Sequence, residues 1–219
     1  MSGDKGLYAG MDDLNLFPFR EPYEYGKKMS QEISKSMIGR SIATPHDSGI
    51  LTQAVLNSKH GDHVEIGTFF GHSAILVALA KEEFGMHGKV YCIDPWQYRP
   101  TVMEDWGAKE IATDRAVMQN AKKFGVEHRI VCIPRESYPF PVELEGKTFS
   151  TGYIDGDHWN GMPKKDWESL KERVTYSIII DDYCWGKTEV IATAIEAMSD
   201  PLWIPVQLSG LTLVLRRRH

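Results

Sequence analysis

The chain has 219 residues, a formal net charge of -5 at pH 7 and a hydrophobic share of 42%. This composition is typical of a globular protein, and a domain of this length can bury a large core. The only basic run is the terminal Arg216, Arg217, Arg218 and His219. An acidic chain of this kind does not favour nucleic acid or an anionic membrane surface as its main partner.

The cysteines and the apolar stretches indicate a cytoplasmic protein. Cys92, Cys132 and Cys184 form neither a CxxC pair nor an even disulfide framework, so we expect reduced thiols. No apolar stretch reaches the roughly 18 residues needed to span a bilayer. The sequence therefore predicts a chain without a membrane segment.

The first 28 residues carry glycine, proline, paired aspartates and several aromatic residues without a clean period. We expect residues 1–28 to form an irregular arm, which would either close over a site as a lid or make a contact in a homo-oligomer. Residues 29–219 are predicted to form a single domain. Its first elements are two helices, over 30–42 and around 50–55.

Short apolar runs then alternate with helical stretches. Strands are predicted at 63–67, 89–94, 129–133, 151–155 and 177–182, and helices at 72–84, 104–124, 164–174 and 187–198. This alternation predicts an α/β fold with a doubly wound, mostly parallel sheet and helices on both faces. Two further strand-like runs, "LWIPVQL" and "LTLVLRR", are separated only by Ser-Gly and predict a C-terminal antiparallel hairpin.

The stretch "VEIGTFFGHSA" joins the first strand to a helix. Gly67 permits a sharp turn, and Ser73 lies near the start of the helix, where free N-H groups favour polar ligands. Any strand-to-helix turn favours glycine, so this spacing alone is weak evidence. The GxGxxG pattern of nicotinamide sites is absent, and Thr68 and Phe69 stand where a pyrophosphate would need close approach.

Two acidic residues of the first two strands point to a nucleoside ligand. Glu65 is a carboxylate within an otherwise apolar strand, which suits an amino-bearing ligand better than a diphosphate. Asp94 closes the second strand, where an acid can accept both hydroxyls of a ribose. Asp94 could equally cap the loop before Pro95.

Three further acids follow the fourth and fifth predicted strands. Asp155 closes one strand, and Asp181 with Asp182 closes the next. Parallel neighbours would bring them to one rim of the sheet, about 5 Å apart, where the carboxylates repel each other unless a cation binds. Mg2+ takes such oxygen ligands. The alternative is that two of the acids cap helices or turns.

These four motifs together resemble the class I S-adenosylmethionine-dependent O-methyltransferases. "VEIGTFFGHSA", Asp94, "YIDGDH" and "IIIDDY" occur in the family's order, and the resemblance covers roughly residues 45–215. The sequence is most similar to the metal-dependent branch, which includes the catechol and the macrolide and aminocoumarin sugar O-methyltransferases. The resemblance implies a Rossmann-like methyltransferase sheet, S-adenosylmethionine and Mg2+ as cofactors, and a small-molecule hydroxyl acceptor.

The resemblance also implies roles for individual residues. Glu65 and Gly67 would contact the amino acid end of the cofactor, Asp94 the ribose, and Trp96 and Ser137 the adenine, although the usual "GDS" at Ser137 is "RES" here. The implied cofactor site is completed by Thr68, Phe69, Ser73 and Asp155. The implied metal ligands are Asp155, Asp181 and Asp182. The catechol branch has Asn at the position of Asp182, whereas the sugar branch has Asp, which favours a sugar or another aliphatic hydroxyl.

Two residues are candidates for the base that takes the acceptor's proton. His158 occupies the position of the catalytic lysine of catechol enzymes, and Asp157 matches the proposed base of the aminocoumarin enzymes. We favour His158, because imidazole titrates near neutrality; a histidine hydrogen-bonded to a turn carbonyl is the alternative. Residues that could wall the acceptor pocket are Tyr98, Trp106, Trp159, Tyr183 and Trp185. Competing hypotheses are a non-catalytic S-adenosylmethionine-binding protein and a nicotinamide-dependent oxidoreductase.

Overall fold

The computed structural model describes residues 20–58, 60–98, 100–105, 107, 109–184 and 186–218, and within them it contains seven strands and seven α-helices. The strands are β1 His63–Ile66, β2 Val90–Ile93, β3 Ile130–Ile133, β4 Phe149–Ile154, β5 Val174–Ile180, β6 Trp203–Ser209 and β7 Thr212–Arg217. The helices are α1 Arg20–Ser36, α2 Pro45–Leu56, α3 His72–Glu83, α4 Pro100–Asp105, α5 Asp114–Lys123, α6 Met162–Lys171 and α7 Thr188–Ser199. None of the described helices is long and apolar enough to cross a bilayer.

The strands form one sheet in the order β3-β2-β1-β4-β5-β7-β6. The five strands from β3 to β5 are parallel, whereas β7 is antiparallel to both β5 and β6. This confirms the predicted α/β sheet and its C-terminal hairpin. The chain changes direction across the sheet between β1 and β4, and open sheets of this kind bind ligands beyond the carboxyl ends of the strands at that point.

Apolar side chains cover both faces of the sheet. Along β5, Ile179 packs into the cluster beneath α1, α2 and α3, while Ile178 and Ile180 pack into the opposite cluster beneath α6 and α7. Successive side chains of a strand point to opposite faces, so a strand buried on both sides must be apolar throughout. The unbroken isoleucine run of β5 therefore marks the centre of the core.

The N-terminal segment differs from the expected irregular arm. Residues 1–19 lie outside the described part of the chain, but α1 already begins at Arg20, so the predicted boundary at residue 28 falls inside a helix. The buried face of α1 consists of Pro22, Gly26, Ser30 and Ile33, at helical spacing. A Cβ at Gly26 would collide with α2, so the glycine allows the two helices to approach closely. Because Gly26 and Ser30 are small and not strongly apolar, this buried face shows no apolar helical period in the sequence.

The single helix predicted over 104–124 is wrong, because α4 and α5 are separate. Gly107, with φ +67°, lies between them in the left-handed region. Thr113 then caps α5, since its hydroxyl accepts a hydrogen bond from the amide of Ala116 at 3.0 Å. Threonine at this position is a preferred helix start.

Asp47, near the start of α2, ties this helix to the C-terminal hairpin. Its Oδ1 accepts hydrogen bonds from the Leu211 amide at 3.1 Å and from the Thr212 hydroxyl at 3.0 Å. Its Oδ2 accepts from the hydroxyl of Thr44, the N-cap of α2. The neighbouring His46 contacts Ser209 in the same hairpin, Nε2 to Oγ at 2.8 Å. The carboxylate is buried, so these donors must replace its water.

Asp47→Ala should lower the free energy of unfolding by about 2–3 kcal/mol, because it leaves buried donors of the hairpin without an acceptor. Urea denaturation followed by circular dichroism measures the change. The matched control is Glu32→Ala, which removes an exposed acid of α1 paired with Lys35 and should change stability by less than about 0.5 kcal/mol. Equal effects of the two substitutions would contradict the anchoring role of Asp47.

Candidate active site

A cavity of about 360 Å³ opens at the carboxyl ends of the parallel strands. Its lining includes one residue from beyond each of these strand ends: Gly67, Asp94, Ser137, Asp155 and Asp182. Asp157 and His158 also line it. The structure therefore brings seven of the predicted site residues around one space, whose volume suits a small-molecule ligand.

The turn after β1 requires glycine. Gly67 has φ +88°, in the left-handed region that other residues rarely adopt, and an added Cβ would collide with the carbonyl oxygen of Asp155. The turn after β1 and the turn after β4 thus touch through backbone alone. This close approach keeps Asp155 beside the turn that was predicted to meet the cofactor.

Glu65 lies under this turn as a buried acid. Its side chain is fully buried, and neither carboxylate oxygen has a hydrogen bond of standard geometry within the described chain. Burial raises the pKa of Glu65 to about 7, although the nearby hydroxyls of Thr68 and Ser73 oppose the rise. A ligand that brings an ammonium group would supply both the missing donors and the missing positive charge.

Asp94 caps its loop and also lines the cavity, and its contact with a ribose stays a prediction. Its Oδ2 accepts hydrogen bonds from the Phe69 amide at 2.9 Å and the Tyr98 hydroxyl at 2.7 Å, and its Oδ1 accepts from the Trp96 amide at 2.7 Å. Burial raises the pKa of Asp94, and these donors oppose the rise. A carboxylate has about four acceptor positions, which leaves capacity for a ligand hydroxyl.

Some predicted cofactor residues do not line the cavity. Among the described residues, Glu65, Thr68, Phe69, Ser73 and Trp96 are absent from its lining. The Trp96 indole N-H donates to the Phe69 carbonyl at 2.9 Å, and both rings pack against a small cluster that contains Phe70 and Met103. Trp96 therefore supports the glycine turn, and its contact with adenine stays a prediction.

Asp155, His158 and Asp182 converge at one end of the cavity. His158 Nε2 lies 3.8 Å from Asp155 Oδ1 and 3.7 Å from Asp182 Oδ2, and one ligand atom from each of the three lies within 4.8 Å of the others. Burial raises the pKa of Asp155 well above its usual range, and Asp182 raises it further. A half-buried and a buried carboxylate beside an imidazole form a donor set that could hold a divalent cation.

Asp181 is held apart from these three side chains. Its Oδ2 accepts a hydrogen bond from the Tyr153 hydroxyl at 2.8 Å, and its Oδ1 accepts from Thr212 at 3.3 Å. Strand alternation places Asp181 on the same face as Ile179, where Tyr153 also packs. The gathered set thus differs from the predicted one by containing His158 in place of Asp181, and direct metal binding by Asp181 stays a prediction.

The two candidate bases differ in their surroundings. Asp157 is exposed, and its Oδ1 accepts a hydrogen bond from the Trp159 amide at 3.1 Å, so it stabilises the turn. His158 is half-buried, and its Nε2 has no hydrogen-bond partner within the described chain. Burial lowers the pKa of His158, and the Asp182 carboxylate opposes this change.

Sequence reasoning missed part of the outer wall. Tyr98 and Trp159 line the cavity as predicted, but so do Ile42, Met162 and Lys187, and Lys187 Nζ lies 5.2 Å from the centroid of the Trp159 ring. Tyr183 instead packs against the core, and Trp106 and Trp185 lie outside the described residues. The position of Lys187 just before α7 was the one available signal, since helix starts at this rim face the ligand.

A protein-family model described as "Methyltransferase domain" matches residues 64–183, more than half of the chain. The chain belongs to this methyltransferase family. The matched segment runs from β1 to just past β5 and contains every predicted site residue. The predicted class, a methyltransferase on a Rossmann-like sheet, is thereby confirmed. No curated protein matches the chain.

Solved structures of similar fold include several O-methyltransferases. The cofactor-bound Rv0187 protein from MTB is 18% identical, with a TM-score of 0.60 over 87% of this chain and 88% of that one. The O-methyltransferase TomG from Streptomyces achromogenes, in complex with SAM, is 15% identical, with a TM-score of 0.56 over 91% of each chain. The O-methyltransferase from Bacillus cereus, in complex with SAH, is 14% identical, with a TM-score of 0.55 over 93% of each chain.

Glu65→Gln should stabilise the ligand-free protein at pH 8 by on the order of 3 kcal/mol. The pKa of Glu65 is raised from 4.5 to about 7 on folding, so stability is lost as pH rises through this interval, because only the unfolded chain releases its proton freely. Glutamine removes that loss. Urea denaturation of both proteins from pH 4.5 to 8 measures it, and the difference should shrink towards zero at pH 4.5. A difference that does not vary with pH would contradict the raised pKa.

Proposed function

We propose that the protein transfers the methyl group of S-adenosylmethionine to a hydroxyl oxygen of a small molecule with the help of a divalent cation, most simply Mg2+. The observation that carries this proposal is the convergence of Asp155, His158 and Asp182 within 4.8 Å, on the wall of a cavity that also includes Gly67 and Asp94. The proposed nucleoside site and the acid cluster thus share one space. Methyl transfer to a metal-bound hydroxyl needs both together.

The residues present fit the cofactor. Asp94 lines the cavity with acceptor capacity left for ribose hydroxyls, and Ser137 lies beyond β3 for the adenine. The acid Glu65, under the turn after β1 and without a hydrogen bond of standard geometry in the described chain, would favour an ammonium group. Bound S-adenosylmethionine would supply an electrophilic methyl group on a sulfonium. The solved structures of similar fold that contain SAM and SAH are consistent with this use of the fold.

The acid cluster fits a cation because burial raises the pKa of both Asp155 and Asp182, and the Asp182 carboxylate raises that of Asp155 further. We propose Asp155 and Asp182 as ligands of the cation. Asp181 would either reach the cation directly or stay hydrogen-bonded to Tyr153 and Thr212 beside it. A bound divalent cation would polarise the acceptor hydroxyl and lower its pKa. Without a cation, burying these acids side by side is unfavourable.

His158 is the proposed base. His158 Nε2, which has no hydrogen-bond partner within the described chain, would take the proton that the acceptor hydroxyl loses on methylation. The Asp182 carboxylate, 3.7 Å from this nitrogen, opposes the lowering of the His158 pKa by burial. Asp157 is the second candidate, but its carboxylate already holds the Trp159 amide.

The acceptor is proposed to be a small hydroxylated molecule, such as a sugar-containing natural product or a catechol-like ring. Trp159 and Ile42 are 51% and 62% exposed at the cavity wall, so they could cover the apolar body of such a molecule. Asp182, which the sugar branch shares by resemblance, favours an aliphatic hydroxyl. The homologous fold of TomG, which is involved in tomaymycin synthesis, is consistent with a natural-product acceptor.

Removal of the cation should abolish turnover and leave cofactor binding intact. With a panel of catechols and glycosylated natural products, SAH release should require Mg2+ and stop in EDTA, because the acceptor hydroxyl is then no longer polarised.

Asp182→Asn should lower kcat by about 100-fold or more, while SAH affinity, measured calorimetrically, stays within about threefold. The control is Glu82→Gln, an exposed acid remote from the cavity. Turnover that persists in EDTA would contradict the metal role, and SAH binding without any product across the panel would favour a non-catalytic binding protein.

The base assignment predicts different outcomes for neighbouring substitutions. His158→Gln should lower kcat by about 10²–10⁴-fold with little change in the SAH dissociation constant, because it removes the proton acceptor. Asp157→Asn should lower kcat by less than about tenfold, since asparagine can still accept from the Trp159 amide. The reverse order of effects would assign the proton transfer to Asp157.

A further inference from the structure

Asp166 is a buried acid of α6 that the proposed reaction does not use. Its side chain is 1% exposed, and neither carboxylate oxygen has a hydrogen bond of standard geometry within the described chain. Burial raises its pKa to about 7, and the facing Ser137 hydroxyl opposes the rise. The charged groups that act on it are Asp157, Lys165 and Glu136. A carboxylate placed in the core at this cost normally has a specific partner.

Asp166 lies directly beneath the cavity wall. A Cβ added to Gly156 would lie 3.3 Å from Asp166 Oδ2, so the carboxylate is in contact with the backbone of the turn after β4. Its other neighbour, Ser137, belongs to the turn after β3. Both Gly156 and Ser137 line the cavity. Asp166 therefore supports, from the side away from the ligand, the two turns between which the base of a nucleoside would lie.

The hydroxyl of Ser137 has one proton to donate. If that proton points to Asp166, the hydroxyl oxygen presents only lone pairs to the cavity. Such an oxygen accepts a hydrogen bond from an amino group but faces a carbonyl oxygen with no proton between them. The direction of one hydroxyl thus distinguishes a base with an exocyclic amino group from one with an exocyclic oxygen.

We propose that Asp166 is a positioning residue that orients the Ser137 hydroxyl and thereby makes the cofactor site selective for adenine over its deaminated form, hypoxanthine. This inference rests on the proposed function, since it assumes that the adenine of the cofactor lies against Ser137. It adds a specificity-determining pair, Asp166 and Ser137, in which only the serine touches the ligand.

The test compares two ligands by calorimetry: SAH and its analogue in which hypoxanthine replaces adenine. The wild-type protein should bind SAH at least about tenfold more tightly, the effect of one mispaired polar contact. Asp166→Leu and Ser137→Ala should each reduce this ratio to below about threefold. The double substitution should reduce it no further, because the two residues act through the same hydroxyl.

Asp166→Asn keeps a carbonyl oxygen that can accept from Ser137, so it should retain most of the preference. The matched control on the same helix is Glu168→Gln, which removes an exposed acid paired with Lys171 and should leave the ratio unchanged. If Asp166→Leu does not fold, Ser137→Ala and Asp166→Asn still decide the matter. If the role of Asp166 were purely structural, Asp166→Leu would lower the melting temperature and weaken the binding of both ligands equally.

An unchanged ratio in folded Ser137→Ala, or in folded Asp166→Leu, would overturn the inference. A wild-type preference for the hypoxanthine analogue would overturn it as well. If the wild-type protein bound neither ligand, the proposed function itself would fail, and this outcome is distinct from equal binding of both.

Discussion

The parallel pairing of β4 and β5 is the constraint on which the site depends. Ile154 lies opposite Ile180, and the amide of Asp181 donates to the Ile154 carbonyl at 3.0 Å, so the ladder continues to the last residue of each strand. Asp155 and the pair Asp181 and Asp182 must therefore emerge at one rim. A shift of one residue in this register would exchange the faces of Ile178, Ile179 and Ile180 and displace the acids along the rim, so the pairing that fixes the register also fixes the position of the acids.

The acids at this rim have two different roles: Asp181 anchors the rim, whereas Asp155 and Asp182 face the cavity of the proposed reaction. Asp181 is held by Tyr153 and Thr212, and Thr212 also contacts Asp47, so the rim is connected to α2 and to the C-terminal hairpin. One hydroxyl proton of Thr212 serves two carboxylates and can be donated to only one at a time. Thr212 thus joins the two acids without giving both carboxylates a hydrogen-bond donor at the same time. Asp155 and Asp182 remain at the cavity wall with His158.

Much of this arrangement could be predicted from sequence, because it follows from strand periodicity and from the positions of strand ends. Asp94, Asp155 and Asp182 were located by the residues before them, since a polar residue that ends an apolar run must lie at the rim. The start of α1 was missed because Gly26 and Ser30 give its buried face no apolar period. The separation of Asp181 from its neighbour and the place of Asp166 beneath Gly156 depend on side-chain contacts between distant segments, which no local pattern encodes.

Uncompensated burial of acids connects the stability of the protein to its ligands. Glu65 and Asp166 are buried with no standard hydrogen bond in the described chain, and both have pKa values raised to about 7. Hydrophobic packing on both faces of the sheet holds them in place despite this cost. A ligand whose ammonium group neutralised Glu65 would bind only the folded chain, so its binding free energy would add to the stability of the fold. Asp166 lies on the side of Ser137 away from the ligand, so the ligand does not relieve its electrostatic cost, and that cost serves only to orient one hydroxyl.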